Sequence, residues 1–581
     1  MHLTKGRAIA SVSQACNGED GIISIAPIAA DGHFRENGNG KTQDCEKNEC
    51  GKKFPCAEIS HTKKVNQLKE MGFKLENDDL SPQQFDELVD ILYRYREVFS
   101  ENTPGVRDFE YEIELKPGAI PRKNKPNYYN PAQRKIVNEQ IADWERKGIV
   151  IREDFEYSSP LLLVKKKCGC ETSLKGQRRT VTLDSCNHPP QFRLCSDFRQ
   201  LNDCLVSKAC SPPSLTQICD NLYANGRQLQ WFSVLDARSG YLQLKVSQNS
   251  RKYLGIQTDE GSYTYASLPF GLRVSGDEFN RLIRDRILAN INYLHTVNFV
   301  DDTLLYCTSW NEHCSKLIEL LKRFKYYQLR LQPKKCVFAR KEVLFCGIMI
   351  NGKGSYPDPR KVELISKLTP PNSQKSLRSW LAMLSFHRRF IPNFSQLCAI
   401  YRPLLKAKAK WQWTEEMEQR FEYLRNLLKT EPVFLFHPNY DNEFVLIVDA
   451  SQVACAYALY NRSENGHLRP VVFGSRMWSD RECRMHISTL ELLSLVHACT
   501  KNHNYLAFRK FTVYTDSLST TFIRSLTRQH GPLFRLALKL QAYDFEIRHK
   551  KWSEMPTDYG TRLKIERADK TKQDPDMATL D

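Results

Sequence analysis

Two apolar segments that each run into aspartate constrain this chain more than any other feature. The first is Phe232-Ser-Val-Leu-Asp236, an apolar strand ending in a carboxylate. The second, His295-Thr-Val-Asn-Phe-Val-Asp301-Asp302-Thr-Leu-Leu-Tyr306, sets an acidic pair between two apolar half-strands, as at the tip of a tight hairpin. Adjacent carboxylates in an apolar setting repel each other, and their pKa values rise unless a cation sits among them. Mg²⁺ answers that need, because it is a hard ion that takes carboxylate oxygens and leaves room for substrate phosphates. Two such ions about 3.5–4 Å apart can activate an attacking hydroxyl and stabilise the leaving oxygen in phosphoryl transfer. The competing reading of Asp301-Asp302 is a solvated hairpin turn, so the surrounding residues have to decide.

The composition points to a polyanionic partner. Among 581 residues, 85 Lys and Arg face 67 Asp and Glu, a net charge of +18. Basic balance alone is a weak argument, since it also serves solubility. The apolar and aromatic content suffices for real cores and excludes a disordered or collagen-like chain. No run of 18 apolar residues occurs, so no membrane partner is expected. The first residues lack the apolar stretch of a secretory signal. The 19 cysteines are irregularly spaced with no Cys-x-x-Cys, which reads as reduced thiols in the cytoplasm.

Residues 1–80 are rich in Gly, Asn, Lys and Ser and read as a flexible leader or upstream linker. Ser81-Pro82 opens a helix with Phe85, Leu88, Leu92 and Tyr93 on its apolar face. Residues 81–148 then form an arm with a second helix from about Pro131 to Lys147. Residues 149–355 alternate strands and helices, with Leu242–Val246 alternating like a strand. Residues 356–431 are mainly helical, with Leu377, Leu381 and Leu384 on repeating faces. Residues 432–566 return to alternation, and 567–581 form a polar tail. The fold class is a mixed α/β chain with two catalytic-looking segments.

Several motifs then occur in a fixed order. They are Tyr157-Ser-Ser-Pro-Leu-Leu-Leu-Val-Lys-Lys-Lys167, Arg193 to Asn202, Asp236 to Tyr241, Leu268-Pro-Phe-Gly-Leu272, Phe299-Val-Asp-Asp302 and Phe345-Cys-Gly347. This order resembles the reverse transcriptases of LTR retrotransposons of the gypsy class. The resemblance implies a right-hand polymerase of fingers, palm and thumb or connection, with Asp236, Asp301 and Asp302 as the metal-binding catalytic triad. It implies that Lys166 and Arg193 hold the incoming dNTP, one as point charge and one as planar fork. Tyr241 would exclude a ribose 2′-hydroxyl, Phe270 and Gly271 would line the nucleotide pocket, and Phe345 to Gly347 would grip the primer end. Three departures stand out. Phe299 replaces the usual tyrosine, Ser275-Gly replaces Ala-Pro, and Cys168 to Phe192 is longer than usual. In that insertion Cys168, Cys170, Cys186 and His188 are candidate zinc ligands, although Cys-x-Cys is not a usual zinc spacing.

Beyond residue 440 four further acids stand out: Asp449 after an apolar strand, Glu491 in a helix, Asp516 after Phe511-Thr-Val-Tyr-Thr, and Asp558. By spacing alone Ser488-x-x-Glu491 is a capping box, with Glu491 satisfying a backbone N–H. The order Asp-Ala-Ser, Glu-Leu-Leu, Thr-Asp-Ser and a last Asp resembles ribonuclease H, which would make all four carboxylates ligands of two ions and the catalysts of phosphodiester hydrolysis. The usual glycines after Asp-Ala-Ser are replaced by Val453-Ala-Cys-Ala-Tyr457. His549 reads equally as a loop histidine assisting product release and as part of a basic loop facing nucleic acid.

Together the resemblance implies an RNA-directed DNA polymerase followed by a ribonuclease H-like domain, using Mg²⁺ or Mn²⁺ with two ions per site. Its partners would be an RNA template, a DNA primer, dNTPs and an RNA–DNA hybrid, in the cytoplasm or within virus-like particles. The alternative class is a catalytically decayed nucleic-acid-binding relative.

Overall fold

The computed structural model describes residues 60–165, 171–172, 181–182, 192–206, 215–222, 227–430, 434–516 and 532–550. The helix Pro82–Arg94 begins where the sequence places it. Ser81 Oγ accepts from the Gln84 N–H while Gln84 Oε1 accepts from the Ser81 N–H, a reciprocal cap with Pro82 in the first turn. An earlier helix, His61–Glu70, falls within the stretch read as leader. That stretch has few apolar residues, but Leu68, Phe73 and Leu75 are all buried. Phe73 lies edge-on to Phe99 at 4.7 Å, and both rings meet Phe338. The folded chain therefore extends back to residue 60.

The first large sheet has the strand order Thr296–Phe299, Asp302–Cys307, Trp231–Asp236, Val337–Arg340, all antiparallel. Every residue of Trp231–Asp236 is buried. Alternation divides its side chains between two cores. Trp231 and Leu235 join Leu305 and Cys307 against Leu317, Leu321 and Phe324 of the helix Trp310–Tyr326. Phe232 and Val234 join Leu304 and Tyr306 against Phe345, Ile348 and Ile350. The second group belongs to the hairpin Glu342–Phe345 and Ile348–Asn351, whose register pairs Phe345 with Ile348. Cys346 and Gly347 thus form a two-residue turn, both with positive φ (+49 and +84), as a type I′ hairpin requires.

One expected strand is absent. Residues Gly240–Gln243 form a 3₁₀ turn, and only Lys245–Val246 is extended. The polar tether of Gln243 explains this. Its amide donates to the Arg238 and Arg330 carbonyls at 2.7 and 2.9 Å, and its Oε1 accepts from the Arg330 N–H at 2.7 Å.

The helical segment that follows packs around aromatic rings, with Trp380 4.9 Å from Phe421 and 5.4 Å from Tyr401. Leu377 and Leu384 are buried and Leu381 is partly covered. Arg388 donates to the Ser475 carbonyl and so ties this segment to the chain beyond it.

The second large sheet has the order Leu468–Met477, Ala454–Arg462, Phe444–Ala450, Lys510–Thr515, Asp544–His549. The first two pairings are antiparallel and the last two parallel. The helix Pro532–Leu540 crosses over between the last two strands. Phe444, Leu446 and Val448 face Leu492, Leu495 and Val496 of the helix Ile487–Lys501. Val445 and Ile447 point the other way, into the core that holds Phe345 and Ile348. Where the usual glycines are replaced, Tyr457 pairs across the strand with Gly474, and a Cβ at 474 would lie 2.0 Å from the tyrosine Cζ, so the ring needs a glycine on the neighbouring strand. Among the described residues no helix is long and apolar enough to cross a membrane.

Candidate active sites

The register of the first sheet brings its acids together. Asp302 is the direct cross-strand partner of Asp236, so the two Cβ atoms emerge on one face. Phe299 pairs with Asp302, leaving Val300-Asp301 as the turn. Val300 holds φ +55, where a β-branched residue is strained, and strain of this kind concentrates at functional sites. The Asp301 carbonyl accepts from the Ala237 N–H at 3.0 Å, which fixes the tip against the end of the central strand.

Electrostatics mark the same three residues. Burial raises the pKa of Asp302 to about 6, with Asp236 and Asp301 adding repulsion and Lys335 opposing it. Asp301 is raised by burial and then by Asp236, and its Oδ1 is buried without a hydrogen-bond partner. The Lys335 ammonium lies 3.2 and 3.0 Å from the two Asp236 oxygens. Sequence reasoning missed this lysine, because Lys334-Lys335 looks like any exposed basic pair.

The proposed nucleotide contacts surround this pocket in part. The Tyr241 ring stands 5.5 Å from Phe270 and 5.7 Å from Phe279, and burial followed by Asp301 raises its hydroxyl pKa to about 12. Gly240 makes room for both neighbours, since a Cβ there would meet Phe279 at 2.7 Å and Asp301 Oδ1 at 3.1 Å. Gly271 has φ +92 and lies 3.3 Å (from its would-be Cβ) from the Ser196 carbonyl. Asn202 holds this loop by donating to the Gly271 carbonyl at 3.0 Å and accepting from the Arg273 N–H at 2.7 Å. Arg193 is exposed on the strand Phe192–Ser196, in register with Val164. Lys166, together with Cys168, Cys170, Cys186 and His188, lies outside the described residues.

In the second sheet, Asp449, Glu491 and Asp516 offer carboxylate oxygens that all lie within 4.8 Å of one another. Asp449 ends one strand and Asp516 follows its parallel neighbour, while Glu491 reaches them from the helix Ile487–Lys501. The helix begins two residues earlier than the capping-box spacing requires. Its N-cap is His486, whose side chain accepts from the Ser488 N–H, so Glu491 sits a full turn inside and is free of capping duty. Burial, then Asp449 and Asp516, push its pKa up to about 8. Burial and Asp516 bring Asp449 to about 6. Glu491 Oε2 is buried without a hydrogen-bond partner. The Ser494 hydroxyl donates to the Asp449 carbonyl at 3.0 Å, and His549 Nε2 lies 3.2 Å from the Asp516 carbonyl. Asp558 lies outside the described residues.

Both donor sets suit a hard divalent cation. They are built of carboxylate oxygens, and each contains a buried oxygen that no protein group satisfies. Such groups cost free energy unless a cation reaches them.

Comparison with known proteins agrees with this geometry. The family "Reverse transcriptase (RNA-dependent DNA polymerase)" matches residues 184–350, and "RNase H-like domain found in reverse transcriptase" matches residues 413–513. The chain is 29% identical over 467 residues to the retrovirus-related Pol polyprotein from transposon 412 of Drosophila melanogaster, covering 80% of this chain and 36% of that protein. It is 28% identical to the corresponding polyprotein from transposon 297 of the same organism, covering 74% and 38%. It is 25% identical to the transposon Tf2-7 polyprotein of Schizosaccharomyces pombe, covering 80% and 34%. The chain thus spans little more than a third of the length of these relatives. Among solved structures, the dRH form of the foamy viral protease-reverse transcriptase in complex with double-stranded DNA superposes with a TM-score of 0.70 at 19% identity, covering 88% of this chain and 84% of that one. The same enzyme in complex with an RNA/DNA hybrid gives 0.66 at 19%, covering 89% and 66%.

Proposed function

Starting from a chain that is a retrotransposon Pol polyprotein region with a reverse transcriptase and an RNase H-like domain, we propose that it extends a DNA primer on an RNA template and cleaves the RNA of the resulting hybrid. The observation that carries the first half is the cross-strand placement of Asp302 on Asp236 with Asp301 in the intervening turn. These three carboxylates would hold two Mg²⁺ or Mn²⁺ ions, which when bound would acidify the primer 3′-hydroxyl and offset charge on the leaving pyrophosphate. To hold an ion, Asp236 would give up its ion pair with Lys335, leaving that ammonium at the edge of the pocket. Tyr241, wedged between Phe270 and Phe279, presents a rigid ring beside Asp301, where it would meet the sugar of a bound dNTP. Asn202 fastens the Gly271 turn through its two hydrogen bonds. Lys166 and Arg193 would carry the triphosphate.

In the second site Asp449, Glu491 and Asp516, with Asp558, would hold the ions that direct water at the RNA strand. The buried Glu491 supports this reading, because a carboxyl whose pKa is raised to about 8 by burial and then by its acidic neighbours is poised to exchange its proton for a cation. The chain's net charge of +18 supports binding to nucleic-acid backbones, with affinity that falls as salt rises. The foamy viral enzyme of like fold is bound to double-stranded DNA and to an RNA/DNA hybrid, the ligand classes proposed here. The test is Mg²⁺-dependent dNTP incorporation and labelled-RNA release by the purified chain. Asp301→Asn should abolish the first and spare the second, and Asp516→Asn should do the converse. Extension at an undiminished rate by Asp301→Asn would refute the polymerase assignment.

A further inference from the structure

At the end of the catalytic hairpin away from its acidic tip, three side chains of different chemistry converge. His295 enters the strand Thr296–Phe299, Cys307 ends its partner Asp302–Cys307, and Glu312 lies in the first turn of the next helix. Their ligand atoms all lie within 4.8 Å of one another. His295 Nδ1 is buried and has no hydrogen-bond partner, although Glu312 Oε1 is 3.5 Å away. Cys307 is fully buried.

We infer that His295, Cys307 and Glu312 form a binding site for a zinc-class divalent ion at the base of this hairpin. The distances fit. Zinc bonds to imidazole nitrogen and carboxylate oxygen at about 2.0–2.2 Å, so two such ligands at a tetrahedral angle stand roughly 3.3–3.5 Å apart. The separation of His295 Nδ1 and Glu312 Oε1 falls at the upper end of that range. The nitrogen, sulfur and oxygen donors select zinc over Mg²⁺, which takes oxygen almost exclusively. A supporting shell is also present. Glu312 Oε2 accepts from both the Thr308 N–H and the Thr308 hydroxyl at 2.8 Å, which leaves Oε1 facing the histidine and the thiol. The Tyr306 N–H donates to the His295 carbonyl at 2.9 Å and fixes the two strand ends together.

Other charges face the same oxygen. Arg227 Nη1 is 3.8 Å from Glu312 Oε1, beyond hydrogen-bond reach, while Lys316 is paired with Glu319 at 3.0 Å. The His295 and Glu312 side chains retain 13% and 24% exposure, so an ion can enter and keep a water as its fourth ligand. Cys307 binds as thiolate, with its proton passing to solvent. The ion would join the two hairpin strands to the helix that supports them. This inference is independent of the polymerase reading, because it rests on the other end of the hairpin.

The test is Co²⁺ titration of the metal-free full chain, followed by displacement with Zn²⁺. Wild type should show a sulfur-to-cobalt charge-transfer band with the intense visible bands of a tetrahedral site. It should also retain a single equivalent of zinc after dialysis. Both signals should be lost in Cys307→Ser and in His295→Asn and kept in Cys168→Ser/Cys170→Ser. Zinc should raise the melting temperature of wild type but not of His295→Asn. Absence of the thiolate band in wild type overturns the inference whether or not the variants fold. Its persistence in His295→Asn places the metal elsewhere and overturns it equally.

Discussion

Asp302 stands directly opposite Asp236 across the central strand pair, so one register step holds two carboxylates on the same face. Like charges at such a position are destabilising, by up to about 1 kcal/mol. In metal-free protein, Asp302→Asn should therefore raise the melting temperature. Primer extension should fall by more than about 100-fold, since even outer-shell partners of a metal site cost 10–100-fold. Hybrid cleavage should be unchanged. Melting curves in EDTA and extension on poly(rA) check both halves, and a destabilised Asp302→Asn would contradict the repulsion argument.

Glu491 gives a pH dependence of definite sign. Its folded pKa of about 8 lies above the unfolded value of 4.5, so the native state binds the extra proton between those limits. Its contribution to stability is present in acid and is lost as pH rises through about 8. Buried histidines such as His313 and His387 titrate in the opposite sense, so the comparison must be with a variant. Glu491→Gln should gain stability over wild type progressively from about pH 5 to 8 in EDTA. Saturating Mg²⁺ should shrink that gap by stabilising wild type more than the variant. A gap independent of pH would be inconsistent with a raised carboxyl.

Gly240 packs against the acidic tip at Asp301 and carries no chemistry of its own. Gly240→Ala places a methyl 2.7 Å from Phe279 Cζ and 3.1 Å from Asp301 Oδ1. Overpacking of this kind costs about 1–3 kcal/mol. Extension should drop at least several-fold as Asp301 or the Phe279 ring gives way, with the nuclease activity retained. Wild-type extension rates would show that the tip tolerates displacement.

The Tyr457–Gly474 pair predicts a coupled effect. Gly474→Ala collides with the tyrosine ring and should destabilise the second sheet by about 1–3 kcal/mol. In the background of Tyr457→Ala the same change should cost almost nothing. Denaturant titrations of the double-mutant cycle measure this, and additive effects would exclude the contact.

The legible parts of this chain were those with local chemistry. Ser81 with Pro82 announces a helix start, and the apolar runs around Asp236 and Asp301-Asp302 announce strands whose ends carry acid. The ordered motifs single out Asp236, Asp301, Asp302, Asp449, Glu491 and Asp516, which the described structure gathers into two groups of carboxylates. What stayed hidden depends on distant partners. Gln243 breaks an alternating pattern because Arg330 lies beside it in space. The first residue of the helix before Glu491 is set by His486, which no capping pattern names. Lys335 reaches Asp236 from about a hundred positions away along the chain. Gly474 compensates for Tyr457 through a cross-strand pairing, and no single-strand reading sees both.

One core has a consequence for the whole molecule. Val445, Ile447, Ala458, Tyr460 and Phe473 of the second sheet bury themselves in the same cluster as Phe345, Ile348 and Leu435. Excising the second sheet with its helices would strip that greasy face bare, and the excised piece should clump rather than stay dispersed. The shared packing also holds the two acidic groups at a constant offset, set by interlocked side chains instead of by a swinging tether.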